Sequence, residues 1–175
     1  MSKFTVYTQD TAPEAAKPVL HEVKKAFGFI PNLQAMPDIG HSDDGTFSAE
    51  KVIALKPDNA HAHNALGYSL ADRNMRLEEA RQLITQAVQL APQDPYIQDS
   101  LGWLEFRQGR LQQALQILQA AYKAKPDAEI AAHLGEVLWA LGQQQAAGTL
   151  WREGLLLKPD NETLVDTIQR FQFKP

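Results

Sequence analysis

The chain has 175 residues, 44% of them hydrophobic and 22% charged, with a formal net charge of −4. That balance suits one ordinary folded domain, or a small domain with an extension. It lacks the basic stripe of a nucleic-acid binder, and no apolar run reaches the roughly eighteen residues of a membrane-spanning helix. With no cysteine in the chain, disulfides, thiolate catalysis and cysteine-ligated metal are excluded, while the compartment stays open. The opening MSKFTVYTQD has no charged-then-apolar signal region, so the chain as written carries no signal peptide and reads as cytoplasmic. Thr11-Ala12-Pro13-Glu14 then reads as a helix start, with a capping box from Thr11 to Glu14 and proline in the first turn. Leu20, Val23 and Phe27 share one face of the helix this predicts over 12–27; Pro18 bends it or delays its start, and Gly28 is a C-cap. FGFIPNLQAMP follows as irregular or briefly helical chain and DIGHSDDGT as a polar linker, which makes 1–46 a leader with one amphipathic helix.

FSAEKVIALKPD, at 47–58, reads as the second helix of a hairpin whose first helix is missing, with Pro57 closing it. Beyond it the chain repeats itself. Leu66-Gly67, Leu101-Gly102 and Leu134-Gly135 each open a similar block, and an alanine recurs downstream at Ala80, Ala114 and Ala147. Four residues later stands a large apolar side chain, Ile84, Leu118 or Trp151, and three further on a small one, Ala87, Ala121 or Gly154. A proline ends each block: Pro92, Pro126, Pro159. Small residues let two helices approach closely, the large ones fill the gap between them, and proline cannot continue the helix. Gly109 and Gly142 mark the turns inside the second and third blocks, whereas the first block has RNMR there. The blocks are predicted at about 60–92, 95–126 and 128–159, each a helix–turn–helix. DNETLVDTIQRF then places Leu164, Ile168 and Phe171 on one face of a capping helix over 161–171. The C-terminal end is expected to be intact and the N-terminal end cut.

This pattern resembles the tetratricopeptide repeat, with Leu-Gly, then Ala, a large apolar residue, Ala and Pro over about 34 residues. The resemblance implies an all-α solenoid of helix–turn–helix units wound as a right-handed superhelix. NALGYSLADR, DSLGW and EIAAHLGEVLWALG are further similar to the C-terminal part of proteobacterial tetratricopeptide-repeat lipoproteins and adaptors, over about 47–171. That likeness implies an envelope or periplasmic scaffold, although the lipidated cysteine and earlier repeats of that family are missing. In the leader, AFGFIPNL resembles the N-terminal helix of the carboxymuconolactone decarboxylase and alkylhydroperoxidase family, over about 3–36. Its peroxidase members need a Cys-x-x-Cys pair, which this chain lacks, so the activity does not carry over. Two resemblances meeting near 37–46 suggest a fusion, with a divergent natural leader as the alternative.

Candidate chemistry is sparse. His61 and His63, two apart on a helix, face different ways and cannot form an i, i+4 metal pair. His133 stands alone, His21 and His41 lie outside the repeats, and all five read as solvated or groove-lining. Glu78 and Glu79 suit a helix N-terminus, and no carboxylate pair is forced together as acid and base. No metal, cofactor or catalytic residue is expected. What remains is a surface. In stacked hairpins the first helices line the concave side, where positions 2, 5, 9, 12 and 13 should face an extended groove. Counted from Ala60, Pro95 and Ala128, these are His61, Asn64, Tyr68, Ala71 and Asp72; Tyr96, Asp99, Trp103, Phe106 and Arg107; and Glu129, Ala132, Glu136, Trp139 and Ala140, with His133 at the groove edge. Tyr68 and Trp103 are expected to be exposed there, while Phe106 and Trp139 either line the groove or pack on the next hairpin. Clamps that hold a free carboxyl terminus place Lys and Asn at positions 5 and 9. Asn64 and Tyr68, then Asp99 and Trp103, do not match, although Arg107 alone can pair with an acidic group. The expected function is therefore a non-catalytic scaffold or adaptor holding a peptide or protein partner in the groove. The alternatives are self-assembly, as a homodimer through the uncapped N-terminal end, and a remnant of a peroxidase- or decarboxylase-like enzyme.

Overall fold

The structure, a computed structural model, describes residues 49–174; the leader over 1–46, with its expected 12–27 helix, lies outside the described residues. Among the described residues there are eight helices and no strand: α1 (Ala49–Leu55), α2 (Ala60–Asp72), α3 (Leu77–Leu90), α4 (Pro95–Arg107), α5 (Leu111–Ala124), α6 (Ala128–Ala140), α7 (Gln144–Leu157) and α8 (Glu162–Arg170).

Local chemistry sets these boundaries. Each first helix, and α8, begins at an Asn or Asp whose side chain accepts from the first turn. Asn59 takes the Ala62 amide at 2.9 Å, Asp94 those of Tyr96 and Ile97, Asp127 that of Glu129 at 2.8 Å and Asn161 that of Leu164 at 2.9 Å. The second helices α3, α5 and α7 have no such side-chain cap and start directly from tight turns. Those turns need a left-handed residue. Gly109 and Gly142 supply it at φ 79, and in the glycine-free first block Asn74 (φ 54) and Arg76 (φ 48) adopt it instead. Every second helix, and α1 with them, stops two residues short of its proline.

The recurring small and large residues explain the packing. A Cβ added at Gly67 would lie 2.7 Å from Ile84, at Gly102 2.5 Å from Leu118 and at Gly135 2.0 Å from the Trp151 indole nitrogen, so only glycine admits the second helix this closely. Ala80, Ala114 and Ala147 are fully buried beside these contacts. Hairpins α2–α3, α4–α5 and α6–α7 form in this way, and each following first helix lies against both helices of the hairpin before it. The result is a helical solenoid. α1 packs on α2 where a preceding second helix belongs, and α8 packs on α6 and α7 as the first helix of a further hairpin would. Trp139, Trp151, Phe171 and Phe173 close that end in a cluster of rings, with Trp139 and Trp151 stacked at 5.5 Å.

Candidate functional site

The four Asn/Asp caps hold the first turns in step, so equal counts from the cap fall on common lines along the first-helix face. The ninth residues are Tyr68, Trp103, Glu136 and Arg170, and the sixth are Ala65, Ser100, His133 and Thr167. In the last two steps the ninth residue meets the sixth of the following helix. Trp103 of α4 stacks on His133 of α6, with ring centroids 4.3 Å apart at 23°. Glu136 of α6 likewise accepts from the Thr167 hydroxyl of α8 at 3.0 Å, and also from Arg170.

His133 is the centre of this face. Its Nδ1–H donates to both carboxylate oxygens of Asp99, at 3.0 and 2.9 Å, and its Nε2 lies 3.3 Å from the Tyr68 hydroxyl of α2. One imidazole thus joins all three hairpins. Burial opposes its charge, but the adjoining Asp99 carboxylate, with Glu129 and Glu136 further off, outweighs that and pushes its pKa up to about 9. The ring is therefore an imidazolium at neutral pH, and its Nε2–H donates to the Tyr68 oxygen. Glu129 is itself pushed up to about 8, first by burial and then by Asp99 and Asp127, with His133 acting the other way. Burial, followed by the surrounding carboxylates, raises Tyr68 well above its ordinary value, so it stays a phenol.

This arrangement corrects several expectations. Tyr68 and Trp103 are not exposed; they retain 5% and 2% of their accessible surface, and His133, expected to be solvated or at the groove edge, retains 1%. The reason is the ninth-to-sixth stacking together with the hydrogen bond from α2 to α6, which closes the floor of the face. Asn64, Asp99 and Glu136, expected in the groove, are buried as well, and Ala71 and Ala132 are fully covered. His61, Tyr96, Phe106, Arg107, Glu129 and Trp139 are half-buried, while Asp72 and Ala140 are exposed. His61 lies 3.7 Å from Asp94, and Tyr96 donates to Asp127 with Lys125 over its ring. His63 instead meets the Pro57 carbonyl at 2.8 Å, so the two neighbouring histidines do face different ways. Phe106, beside Trp103 of its own helix, packs against the core cluster that includes Ala131, Leu134 and Leu138 of α6, and Trp139 packs against Trp151 and Phe171, which is the packing alternative for both rings.

One buried charge escaped the sequence reading. Glu105, fully covered, accepts from Arg81 of α3 at 2.9 Å and from Arg110 at the start of α5. Its position between Leu104 and Phe106 in an apolar stretch was the available signal. Among the described residues no group of His, Asp or Glu is placed to hold a metal ion, and no helix is long and apolar enough to cross a membrane.

Residues 40–95 and 100–161 match the tetratricopeptide repeat family. The chain belongs to that family. A TPR repeat-containing protein of Pseudomonas aeruginosa is 58% identical over 85 residues, which are 49% of this chain and 14% of that protein. The tetratricopeptide chain thus spans about a seventh of that relative's length. Among solved structures, a thermophilic TPR protein of Thermus thermophilus superposes with TM-score 0.59 at 19% identity, over 71% of this chain and 70% of that one. PilF of Pseudomonas aeruginosa gives 0.57 at 18% identity, over 94% and 71%. At these identities the structural likenesses speak for the tetratricopeptide fold alone. That fold supports a protein-interaction scaffold in general.

Proposed function

We propose that this protein is a non-catalytic scaffold that holds a peptide or protein partner along its first-helix face. The observation behind the reading is that α2, α4 and α6 align on one side, where a closed, polar floor is bordered by the half-buried side chains of His61, Tyr96 and Arg107. Aromatic and arginine side chains in such settings dominate binding energy. A catalytic role for the Asp99–His133–Tyr68 array finds no support in its chemistry. The imidazole is already protonated, both its nitrogens are engaged, and Trp103 covers one ring face.

A photo-crosslinking amino acid placed at Ala140, exposed on this face, is expected to capture a partner in cells. The same group at Gln116 or Gln119, exposed on α5, is expected to capture none. Adducts from α5 without adducts from the first helices would overturn the proposal. Self-association through the α1 end is a second reading, favoured by Leu55, which is 79% exposed at the end of α1. Light scattering that shows only monomer at high concentration removes it.

A further inference from the structure

Arg107 is the last residue of α4 and is half-buried, with its guanidinium 5.7 Å from the centre of the Trp103 ring. The other cations of this face and of the layer behind it have acceptors or rings with a carboxylate close by. Arg81 and Arg110 hold Glu105, Arg170 holds Glu136, His133 holds Asp99, and Lys125 lies over Tyr96 beside Asp127. Among the described residues Arg107 meets the Trp103 ring and no acceptor. A guanidinium partly withdrawn from water with its planar fork of donors unfilled is poised for a carboxylate. The indole it lies against is held in place by stacking on His133 and by donation from Nε1–H to Asp72 at 3.2 Å. An apolar ring stands beside the indole, Phe106 at 5.1 Å from Trp103.

We infer that Arg107 is the specificity point of the face and receives the side-chain carboxylate of an Asp or Glu lying within an apolar stretch of the partner. This rests on the scaffold reading above and names the chemistry of its partner. An internal acidic side chain fits better than a free carboxyl terminus. The positions equivalent to Arg107 hold Asp72 and Ala140, and the fifth positions hold Asn64, Asp99 and Ala132, so these positions supply no second cation to complete the capture of a terminus.

The test uses the full chain, immobilised, and a random library of dodecapeptides blocked at both ends by acetyl and amide groups. Recovered binders are expected to be enriched in Asp or Glu next to aliphatic or aromatic residues, and to weaken as salt is raised. Arg107→Gln is expected to lower their affinity about tenfold or more while leaving the circular dichroism and melting unchanged, and Arg107→Glu to shift recovery toward basic peptides. Blocked binders that show no acidic preference, or that bind Arg107→Gln as tightly as the parent, overturn this inference and leave the scaffold reading standing. Binding that appears only when the carboxyl terminus is left free overturns the choice of an internal side chain. A library that yields no binder, with crosslinks arising from α5 alone, overturns both readings.

Discussion

Replacing Gly135 by alanine tests how tightly the third hairpin is nested. The new methyl carbon would lie 2.0 Å from the Trp151 indole nitrogen and 2.6 Å from two further ring atoms. An ordinary contact is about 3.5 Å, so the ring must retreat by about 1.5 Å. It has nowhere to go. Trp151 is fully buried, stacked on Trp139, flanked by Phe171 and Phe173, and within 3.4 Å of the Ala132 carbonyl. Overpacking of this kind costs up to about 3 kcal/mol, disturbed ring pairing adds about 1, and the better helix propensity of alanine returns about 1. The expected net loss is about 3 kcal/mol, or roughly 10 °C in melting temperature for a domain of this size. Urea unfolding followed by circular dichroism at constant slope measures it. Gly102→Ala is the internal comparison. Its methyl meets Leu118 Cγ at 2.5 Å and Cδ2 at 2.9 Å; that side chain is buried too, but it is smaller than an indole and can turn about χ1 and χ2, so about half the loss is expected. A Gly135→Ala protein as stable as the parent, or one less affected than Gly102→Ala, would refute the argument.

Trp103→Ala is expected to cost about 3–5 kcal/mol, because it leaves a cavity under His133 and Arg107 where the sequence alone implied a harmless surface change; thermal melting decides the matter. Stability is also expected to depend on pH. His133 binds its proton more tightly folded (about 9) than unfolded (about 6.5), and so does Glu129 (about 8 against about 4.5), so the native state holds more protons and stability falls as pH rises. The Glu129 contribution is lost between about pH 4.5 and 8, and that of His133 between about 6.5 and 9, the latter at most about 3 kcal/mol. Urea midpoints from pH 6 to 9.5 should therefore decline in the parent and decline less in His133→Gln. Gly109→Ala, at φ 79 with open space around it, is expected to lose only about 1 kcal/mol from backbone strain, which chemical denaturation resolves.

The hairpins were legible in the sequence because their signals are local. The Leu-Gly pairs, the alanines and the closing prolines each act within one block, and the structure shows Gly67, Gly102 and Gly135 facing the large residues expected of them. The first-helix face was half legible. Position counting brought Tyr68, Trp103 and Glu136 to one side but took that side for an open groove. What it missed is contact between blocks: Tyr68 and His133 are 65 residues apart and Asp99 and His133 are 34 apart. Laying the blocks in register puts the fifth residue of one helix beside the sixth of the next, and the acid facing a histidine there was the sign of a buried charged pair. Glu105 was overlooked for the same reason, since its partners Arg81 and Arg110 belong to other helices.

The indoles are unevenly distributed along the chain. Its three tryptophans fall at 103, 139 and 151, so none lies in α1, α2 or α3, although Trp103 senses the end of α2 through its bond to Asp72. Intrinsic emission will be dominated by the C-terminal ring cluster, whereas far-ultraviolet dichroism weights every helix alike. In a linear array that can fray from either end, a dichroism change preceding the emission change would mean peeling from α1, and coincident curves would mean that the hairpins let go together.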